Sequence, residues 1–216
     1  MAFSIAQDIS IGILALQGAF IEHEASIQRL NRKIRVIQVR TPEDLEKCDA
    51  LIIPGGEPLK SFIKSKPVWG TCAGAILLSQ SVVGAKKGGQ ELLGGMSVKI
   101  ARNGWGSQVE SFEAPLDTEG LNDSAKPFNG IFIRAPVILS LTNTKDDPSI
   151  QVVARLPLDQ VPQSLIDQAG EANKEDTTIV AVRQGLHFLT TFHPELTKDD
   201  RFHEYFVREC VLGRTA

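Results

Sequence analysis

Residues 67 to 78 read Pro-Val-Trp-Gly-Thr-Cys-Ala-Gly-Ala-Ile-Leu-Leu. The apolar run that opens this segment predicts a strand, Gly70 to Gly74 predict a tight turn, and the apolar residues after them predict a helix. Cys72 stands at the apex of the turn. Glycines beside a nucleophile let the backbone turn sharply and lift the side chain clear of a sheet, and a helix N-terminus favours a thiolate. The segment therefore predicts a reactive thiol, with a small buried core cysteine as the alternative.

The chain before this segment alternates between strands and helices. Residues 9 to 16 are almost all apolar, which is typical of a strand covered on both faces. Four elements follow: a helical stripe (Phe20, Ile27 and Leu30), a strand at 34 to 39, a short helix after Thr41-Pro42 and a strand at 50 to 53. This alternation predicts an α/β fold with a doubly wound, mostly parallel sheet flanked by helices, whose ligands lie beyond the carboxyl ends of the strands.

The rest of the chain continues as one predicted domain that spans residues 1 to 216. Further strands are predicted at 96–101, 109–114, 131–133, 179–182 and 189–192, and a final helix at 199–212. Residues 155 to 178 are polar and proline-containing, with one helical turn predicted around Gln163 to Ala169. We interpret them as an insertion and not a domain, because the segment is too short and too polar to bury a core of its own.

Composition excludes several classes of protein. The 216 residues carry 23 basic and 26 acidic side chains, a net charge of -3, which predicts no binding to nucleic acid or to an anionic membrane. Cys48, Cys72 and Cys210 are odd in number, far apart and without metal-ligand spacing, so we expect neither disulfides nor a metal site. The N-terminus lacks a signal-like apolar segment. These features predict a cytoplasmic protein, with Cys48 and Cys210 in the core.

A glycine pair follows the strand at 50 to 53. Gly55-Gly56 is most simply a turn. The functional alternative is that backbone N–H groups there hold an oxyanion beside Cys72.

His193-Pro194-Glu195 is the second stretch that suggests chemistry. In an extended backbone, residues two apart point to the same side, so His193 and Glu195 are expected to meet. A histidine can serve as the base for Cys72 while the carboxylate orients the imidazole. The alternative is a packed histidine beside a solvated glutamate. Arg102 and Arg134, each at a strand end, either clamp a small carboxylate or are solvated edge residues.

Three stretches, in this order, resemble the class I triad glutamine amidotransferases: Pro54-Gly55-Gly56-Glu57, Gly70-Thr71-Cys72-Ala73-Gly74 and His193-Pro194-Glu195. Further stretches resemble the glutaminase subunits of pyridoxal 5'-phosphate synthase over nearly the whole chain: Leu16-Gln17-Gly18, Arg102-Asn103, Gln108 with Ser111-Phe112-Glu113, Phe132-Ile133-Arg134-Ala135-Pro136 and Phe192-His193-Pro194-Glu195-Leu196-Thr197.

The resemblance implies a flavodoxin-like fold and an enzyme that hydrolyses L-glutamine to L-glutamate and ammonia. The ammonia would pass to a barrel-shaped synthase subunit that builds vitamin B6, so no cofactor is expected in this chain. Cys72 would be the nucleophile, His193 the proton shuttle and Glu195 its orienting group. The implied glutamine-binding residues are Gly56, Glu57, Pro58, Arg102, Ile133 and Arg134, and the expected backbone donors to the oxyanion are Gly55, Gly56 and Ala73.

One departure from the family pattern concerns the connection before the nucleophile. Pro58 follows Glu57 where family members have Ser or Thr, and only Pro58 to Lys66 precede Pro67. A parallel crossover needs roughly 10 to 12 residues. This short crossover gives an alternative function, a catalytically weak structural or regulatory subunit of the same complex. A third class is a cysteine peptidase or esterase with the same triad.

Overall fold

The computed structural model describes residues 8–30, 32–55, 62–84, 91–102, 104–105, 111–123, 125–170 and 173–213. None of the helices formed by these residues combines the length and the apolar character needed to cross a membrane.

Twelve strands and five α-helices are formed by the described residues. The strands are β1 (Ile9–Leu14), β2 (Ile34–Val39), β3 (Ala50–Ile53), β4 (Val68–Thr71), β5 (Ser79–Val83), β6 (Met96–Ala101), β7 (Ser111–Thr118), β8 (Phe128–Ile133), β9 (Val137–Leu141), β10 (Ile150–Arg155), β11 (Ile179–Gln184) and β12 (His187–Thr190). The helices are α1 (Phe20–Arg29), α2 (Pro42–Glu46), α3 (Ala73–Leu78), α4 (Gln163–Ala169) and α5 (Arg201–Tyr205), and α5 continues as a π-helical segment, Phe206–Leu212.

The main sheet has nine strands in the order β2-β1-β3-β4-β12-β11-β10-β7-β8. The first five run parallel, and the remaining four extend the sheet in antiparallel fashion. A separate sheet, β5-β6-β9, has three strands. Strands β4, β12, β10 and β8 therefore point the same way, and their carboxyl ends meet at one edge of the main sheet, which we name the carboxyl edge.

Alternate residues of the central strands serve two cores, because successive side chains in a strand point to opposite faces. Ile11, Ile52 and Trp69 pack with α1, α4 and α5 on one face. Leu51 and Val68 pack with α2, α3 and the smaller sheet on the other. Both faces of the parallel strands are covered, as the nearly continuous apolar sequence of β1 and β3 predicts.

The α/β doubly wound fold is confirmed, and its antiparallel half is an addition to the prediction. Strands β5, β9 and β10 were not predicted, and β8 is longer than its predicted three residues. Helix α4 has the predicted bounds, Gln163–Ala169. Residues 155 to 178, interpreted as an insertion, pack on the domain: Leu156, Val161, Leu165 and Ile166 join the same core as α1 and α5.

Candidate active site

Cys72 lies at the carboxyl edge, between the end of β4 and the first residue of α3. Its backbone has φ +48° and ψ -103°, a conformation that L-residues rarely adopt. The backbone N–H of Cys72 donates to the carbonyl of Thr190, at the end of β12. Its Sγ lies 3.9 Å from the carbonyl oxygen of Ile133, at the end of β8. The thiol is partly exposed at the predicted strand end and is not packed in the core, and its reactivity stays a prediction.

The glycines around Cys72 act through close approach. A Cβ on Gly70 would collide with the carbonyl of Gly74, and a Cβ on Gly74 would collide with the carbonyl oxygen of Ile53. The strained dihedral angles belong to Cys72 itself. Helix α3 can therefore lie directly against the end of β3, which fixes where the thiol emerges.

His193 follows β12, the strand that pairs with β4, so the segments that contain His193 and Cys72 leave the sheet side by side. Its Nδ1 lies 2.7 Å from Oε1 of Glu195. The predicted meeting of these side chains is confirmed, but the predicted extended backbone was wrong: residues 194 to 196 form a 3-10 turn with Pro194 at its start. The backbone N–H of His193 also donates to the carbonyl of Ile131, which ties this turn to β8.

The charges at the site favour a protonated His193 over a neutral one. Burial alone would lower the pKa of His193, but hydrogen bonds with Cys72 and Glu195 raise it to about 10. Burial alone would raise the pKa of Glu195, which is 4% exposed, but the facing imidazoles lower it below the ordinary value. The site is thus built to hold an imidazolium between Cys72 and the Glu195 carboxylate, an arrangement that suits a cysteine nucleophile.

The other predicted site residues are partly described. Arg134 follows Ile133 directly, is exposed, and has φ +43°, so both lie beside Cys72. Ala73 is the first residue of α3, and Gly55 is buried against the Gln17 side chain. Arg102, half-buried after β6 in the smaller sheet, stays a prediction as a substrate ligand. Gly56, Glu57 and Pro58 lie outside the described residues, as do Asn103 and Gln108.

Three polar residues beside the triad were missed from the sequence. His23 on α1 and His203 on α5 are fully buried, as is Thr71 at the end of β4. His23 Nε2 lies 3.4 Å from Glu195 Oε2 and 3.3 Å from Thr71 Oγ1, and His23 Nδ1 lies 2.9 Å from His203 Nε2. The signal that points to them is a histidine at a core position of each helix: His23 falls on the stripe of Phe20 and Ile27.

Cys48 and Cys210 are core residues, as predicted. They are 1% and 0% exposed, and burial raises the pKa of the Cys48 thiol to about 11 and that of Cys210 to about 12. All three cysteines are free. No group of three or more potential metal ligands is present in the part of the chain that the structure describes.

A family comparison decides which proteins share this arrangement. The model of the SNO glutamine amidotransferase family matches residues 13–212. The chain belongs to that family.

Relatives and solved structures agree with the family assignment. The chain is 39% identical over 227 residues to the probable pyridoxal 5'-phosphate synthase subunit PDX2 of Arabidopsis thaliana, covering 93% of this chain and 85% of the relative. It is 40% identical over 215 residues to the pyridoxal 5'-phosphate synthase subunit PdxT of Chloroflexus aurantiacus, covering 92% and 99%. A crystal structure of a glutamine amidotransferase superposes with a TM-score of 0.69 at 37% identity, covering 92% and 97%.

Membership of this amidotransferase family does not favour the weak-subunit alternative. The short crossover still joins β3 to β4 as neighbouring parallel strands, with Ile53 in register with Gly70. Its described part, after residue 61, contains one 3-10 turn, Phe62–Lys64. The strand end, the turn at Cys72 and the His193–Glu195 pair are all formed.

Proposed function

We propose that this chain hydrolyses L-glutamine to L-glutamate and ammonia through Cys72, His193 and Glu195, and delivers the ammonia to the synthase subunit of a pyridoxal 5'-phosphate synthase. The observation that supports it best is the 2.7 Å contact between His193 Nδ1 and Glu195 Oε1 beside a strained, partly exposed Cys72. The family and the names of the relatives supply the substrate and the pathway.

The geometry suggests a two-stage hydrolysis. The Cys72 thiolate attacks the side-chain amide carbon of glutamine, and backbone N–H groups hold the oxyanion that forms. Ala73, whose N–H has no intrahelical acceptor at the first position of α3, is a suitable donor, with Gly55 and Gly56 as the others. His193 gives its proton to the departing nitrogen, which leaves as ammonia. Water, deprotonated by His193, then cleaves the thioester and releases glutamate and the thiolate.

Substrate recognition is proposed for residues around the thiol. The Ile133 carbonyl, 3.9 Å from Sγ, can accept a hydrogen bond from the α-amino group, and the exposed Arg134 guanidinium can bind the α-carboxylate. Arg102, Gly56, Glu57 and Pro58 complete the proposed set. A free amino acid suits such paired charges better than a polypeptide does, which disfavours a peptidase or esterase.

The carboxyl edge also offers a surface for the synthase subunit. Five large apolar side chains are exposed in the described part of the chain: Leu16, Ile21, Leu158, Ile133 and Leu196. Each follows, or ends, a strand whose carboxyl end lies at this edge. Apolar side chains gathered on one edge are typical of an interface. A partner bound here would receive ammonia at the point where it is released. The free thiols support a reducing compartment, which we propose is the cytoplasm.

A glutaminase assay with and without the synthase subunit tests the proposal. We expect glutamate release by the wild-type chain, its increase with the partner, and its loss in Cys72→Ala. Turnover of ~1 s⁻¹ or more would be ordinary for an enzyme. Absence of turnover in both conditions, with Cys72 still open to alkylation, would instead support the weak-subunit alternative.

A further inference from the structure

A chain of buried polar side chains continues inward from the triad. It runs from Glu195 to His23 and then to His203, with contacts of 3.4 Å and 2.9 Å, across the packing of α1 against α5. His23 and His203 are 0% exposed and are packed against Trp69, whose ring centroid lies 5.5 Å and 4.8 Å from theirs. Polar groups in such an apolar place need a reason, since an unpaired one costs free energy.

The two histidines are neutral at pH 7. Burial, as the largest cause, lowers the pKa of each to about 3. The charged or titratable groups that face them are Glu195 and His193 on the triad side and Arg29 on α1, and the Arg29 guanidinium lowers the pKa of His203 further. A neutral imidazole has one N–H and one bare nitrogen, so each contact in the chain has a direction.

Two tautomer arrangements are possible, and one fits better. If His23 carries its proton on Nε2, the N–H points at Thr71 Oγ1 and the Glu195 carboxylate, Nδ1 accepts from His203 Nε2–H, and His203 Nδ1 is bare. If the protons are reversed, the Glu195 carboxylate faces a lone pair and His203 Nδ1–H is buried. In the described part of the chain, neither Glu195 Oε2 nor His203 Nδ1 has a hydrogen-bond partner. An orphaned N–H and an anion facing a lone pair both cost free energy, so the first arrangement is favoured.

We infer that His23, oriented by His203, is a positioning residue for Glu195: its neutral Nε2–H, bonded to Thr71 Oγ1, faces the second carboxylate oxygen at 3.4 Å, while His193 Nδ1 contacts the first. A neutral donor fixes the carboxylate without cancelling its charge. Glu195 therefore stays ionised, keeps the His193 proton on Nδ1, and turns Nε2 toward Cys72. This inference rests on the proposed function for its catalytic consequence and on the buried geometry alone for the tautomers.

Variants of His23 separate a positioning role from a structural one. His23→Leu removes the N–H at similar volume, and His23→Gln keeps an amide N–H directed at Glu195. We expect kcat of His23→Leu to fall about 10- to 100-fold, as when the outer partner of a metal ligand is removed, with KM for glutamine little changed. The acid limb of the kcat/KM profile should move to higher pH, because a carboxylate with an unpaired buried oxygen is protonated more readily. His23→Gln should restore much of both.

His187→Leu is the matched control. His187 is a partly buried histidine on β12 whose pKa is lowered by burial and whose polar contact is with the backbone of Ile63, away from the triad. It should match the wild type in kcat and in its pH profile. A His23→Leu variant that folds and shows the wild-type kcat and pH profile would overturn the inference.

Nitrogen-15 NMR of the wild-type protein reads the tautomers directly. With four histidines in the chain, single variants assign the signals. We expect His23 and His203 as non-titrating Nε2–H tautomers at neutral pH, and an imidazolium or an Nδ1–H form of His23 would contradict the inference even if His23→Leu failed to fold.

Iodoacetamide labelling of Cys72 separates this inference from the proposed function. If the wild type lacks glutamine turnover, the proposed function fails. The pH dependence of the rate at which Cys72 is labelled still depends on the contact between His193 and Glu195. A shift in His23→Leu would then support the positioning role, and an unchanged profile would reject it.

Discussion

Backbone strain in this protein is concentrated beside the thiol. Three non-glycine residues of the described chain have positive φ: Cys72, Asp123 and Arg134. An Asp tolerates this region more easily than most residues do. Cys and Arg tolerate positive φ less well than Asp does, and a residue strained in this way costs about 1–3 kcal/mol. Cys72 follows β4 and Arg134 follows β8, so the two strained residues lie on both sides of the Sγ–Ile133 contact, which favours a functional reason for the strain.

Removal of the thiol tests the nucleophile. Cys72→Ala should lower glutamine hydrolysis by on the order of 10⁶-fold, as loss of a nucleophile does in hydrolases, while the melting temperature stays near that of the wild type. Cys48→Ala and Cys210→Ala are the controls: they should keep turnover and lose stability, because each leaves a gap in the core. Turnover that survives in Cys72→Ala would reject the assignment.

Arg134 allows charge and strain to be separated. Both Arg134→Ala and Arg134→Gly remove the guanidinium, so kcat/KM should fall about 10- to 150-fold in each, the equivalent of a charge-assisted contact worth ~1.5–3 kcal/mol. Only the glycine relieves the positive φ, so Arg134→Gly should be the more stable of the two by about 1 kcal/mol. Unchanged kcat/KM in both variants would make Arg134 a solvated edge residue.

Contact between β3 and α3 sets the position of the nucleophile. Gly74 meets the Ile53 carbonyl where no side chain fits. We expect Gly74→Ala to lower the free energy of unfolding by roughly 1–3 kcal/mol, the usual cost of overpacking, and to reduce kcat because α3 shifts with Cys72. Gly95→Ala is the matched control, since a Cβ there meets only ordinary contacts. A stable, fully active Gly74→Ala would show that the close approach is not needed.

The parallel half of the fold was predictable because its information is local. The signals act within a few residues: the β-branched residues of Ile34–Val39, the continuous apolar run Ala50–Ile53, and the Thr41 cap, whose Oγ1 accepts from the Asp44 N–H. The antiparallel extension was not, because β10 pairs with β7 and β11 across long connections and through register shifts. Strand β10 itself was missed because its residues alternate only weakly between buried and exposed positions, so no period distinguished it from a loop.

The contact between His193 and Glu195 was predictable by residue type, and its surroundings were not. His193-Pro194-Glu195 led to the right contact through the wrong backbone, because a 3-10 turn and an extended strand can bring the same two side chains together. His23 and His203 are 180 positions apart, and only the packing of α1 on α5 joins them. That packing includes a surface ion pair, Arg29 with Asp200 at 2.6 Å, which the sequence did not indicate.

The carboxyl edge contains both the proposed catalytic residues and the exposed apolar side chains, but these are different residues. Partner binding is therefore expected to be separable from catalysis. In the double variant Leu16→Asp with Ile21→Asp, affinity for the synthase subunit should fall at least about tenfold, since burial of one such side chain is worth roughly 1.5–3 kcal/mol. Glutaminase activity of the free chain should persist. Ser149→Asp, exposed before β10 at the opposite edge, is the control. Unchanged affinity by calorimetry in the double variant would move the interface elsewhere.

Global stability should have an optimum between the titrations of the buried histidines. His23 and His203 have pKa values of about 3 in the folded chain and ordinary values near 6.5 when unfolded. As pH falls below 6.5, the unfolded state binds protons that the folded state refuses, so the free energy of unfolding drops by about 1.4 kcal/mol per pH unit for each histidine. His193 acts in the opposite sense. Because the pKa of His193 is about 10 in the folded chain, its contribution to the free energy of unfolding is fully present below pH 6.5 and is lost as pH rises toward 10.

Urea unfolding from pH 4 to 10, followed by the fluorescence of the two tryptophans, measures this profile. His203→Phe should reduce the acid slope, the change of the free energy of unfolding with pH below 6.5, by the equivalent of one proton, and should leave the alkaline slope unchanged. His193→Gln should flatten the alkaline slope and leave the acid slope. The two variants control for each other, because each removes a histidine near the same site but affects only one limb. An acid slope that His203→Phe leaves intact would mean that His203 is not held neutral in the folded protein, and the polar chain behind Glu195 would lose its inner end.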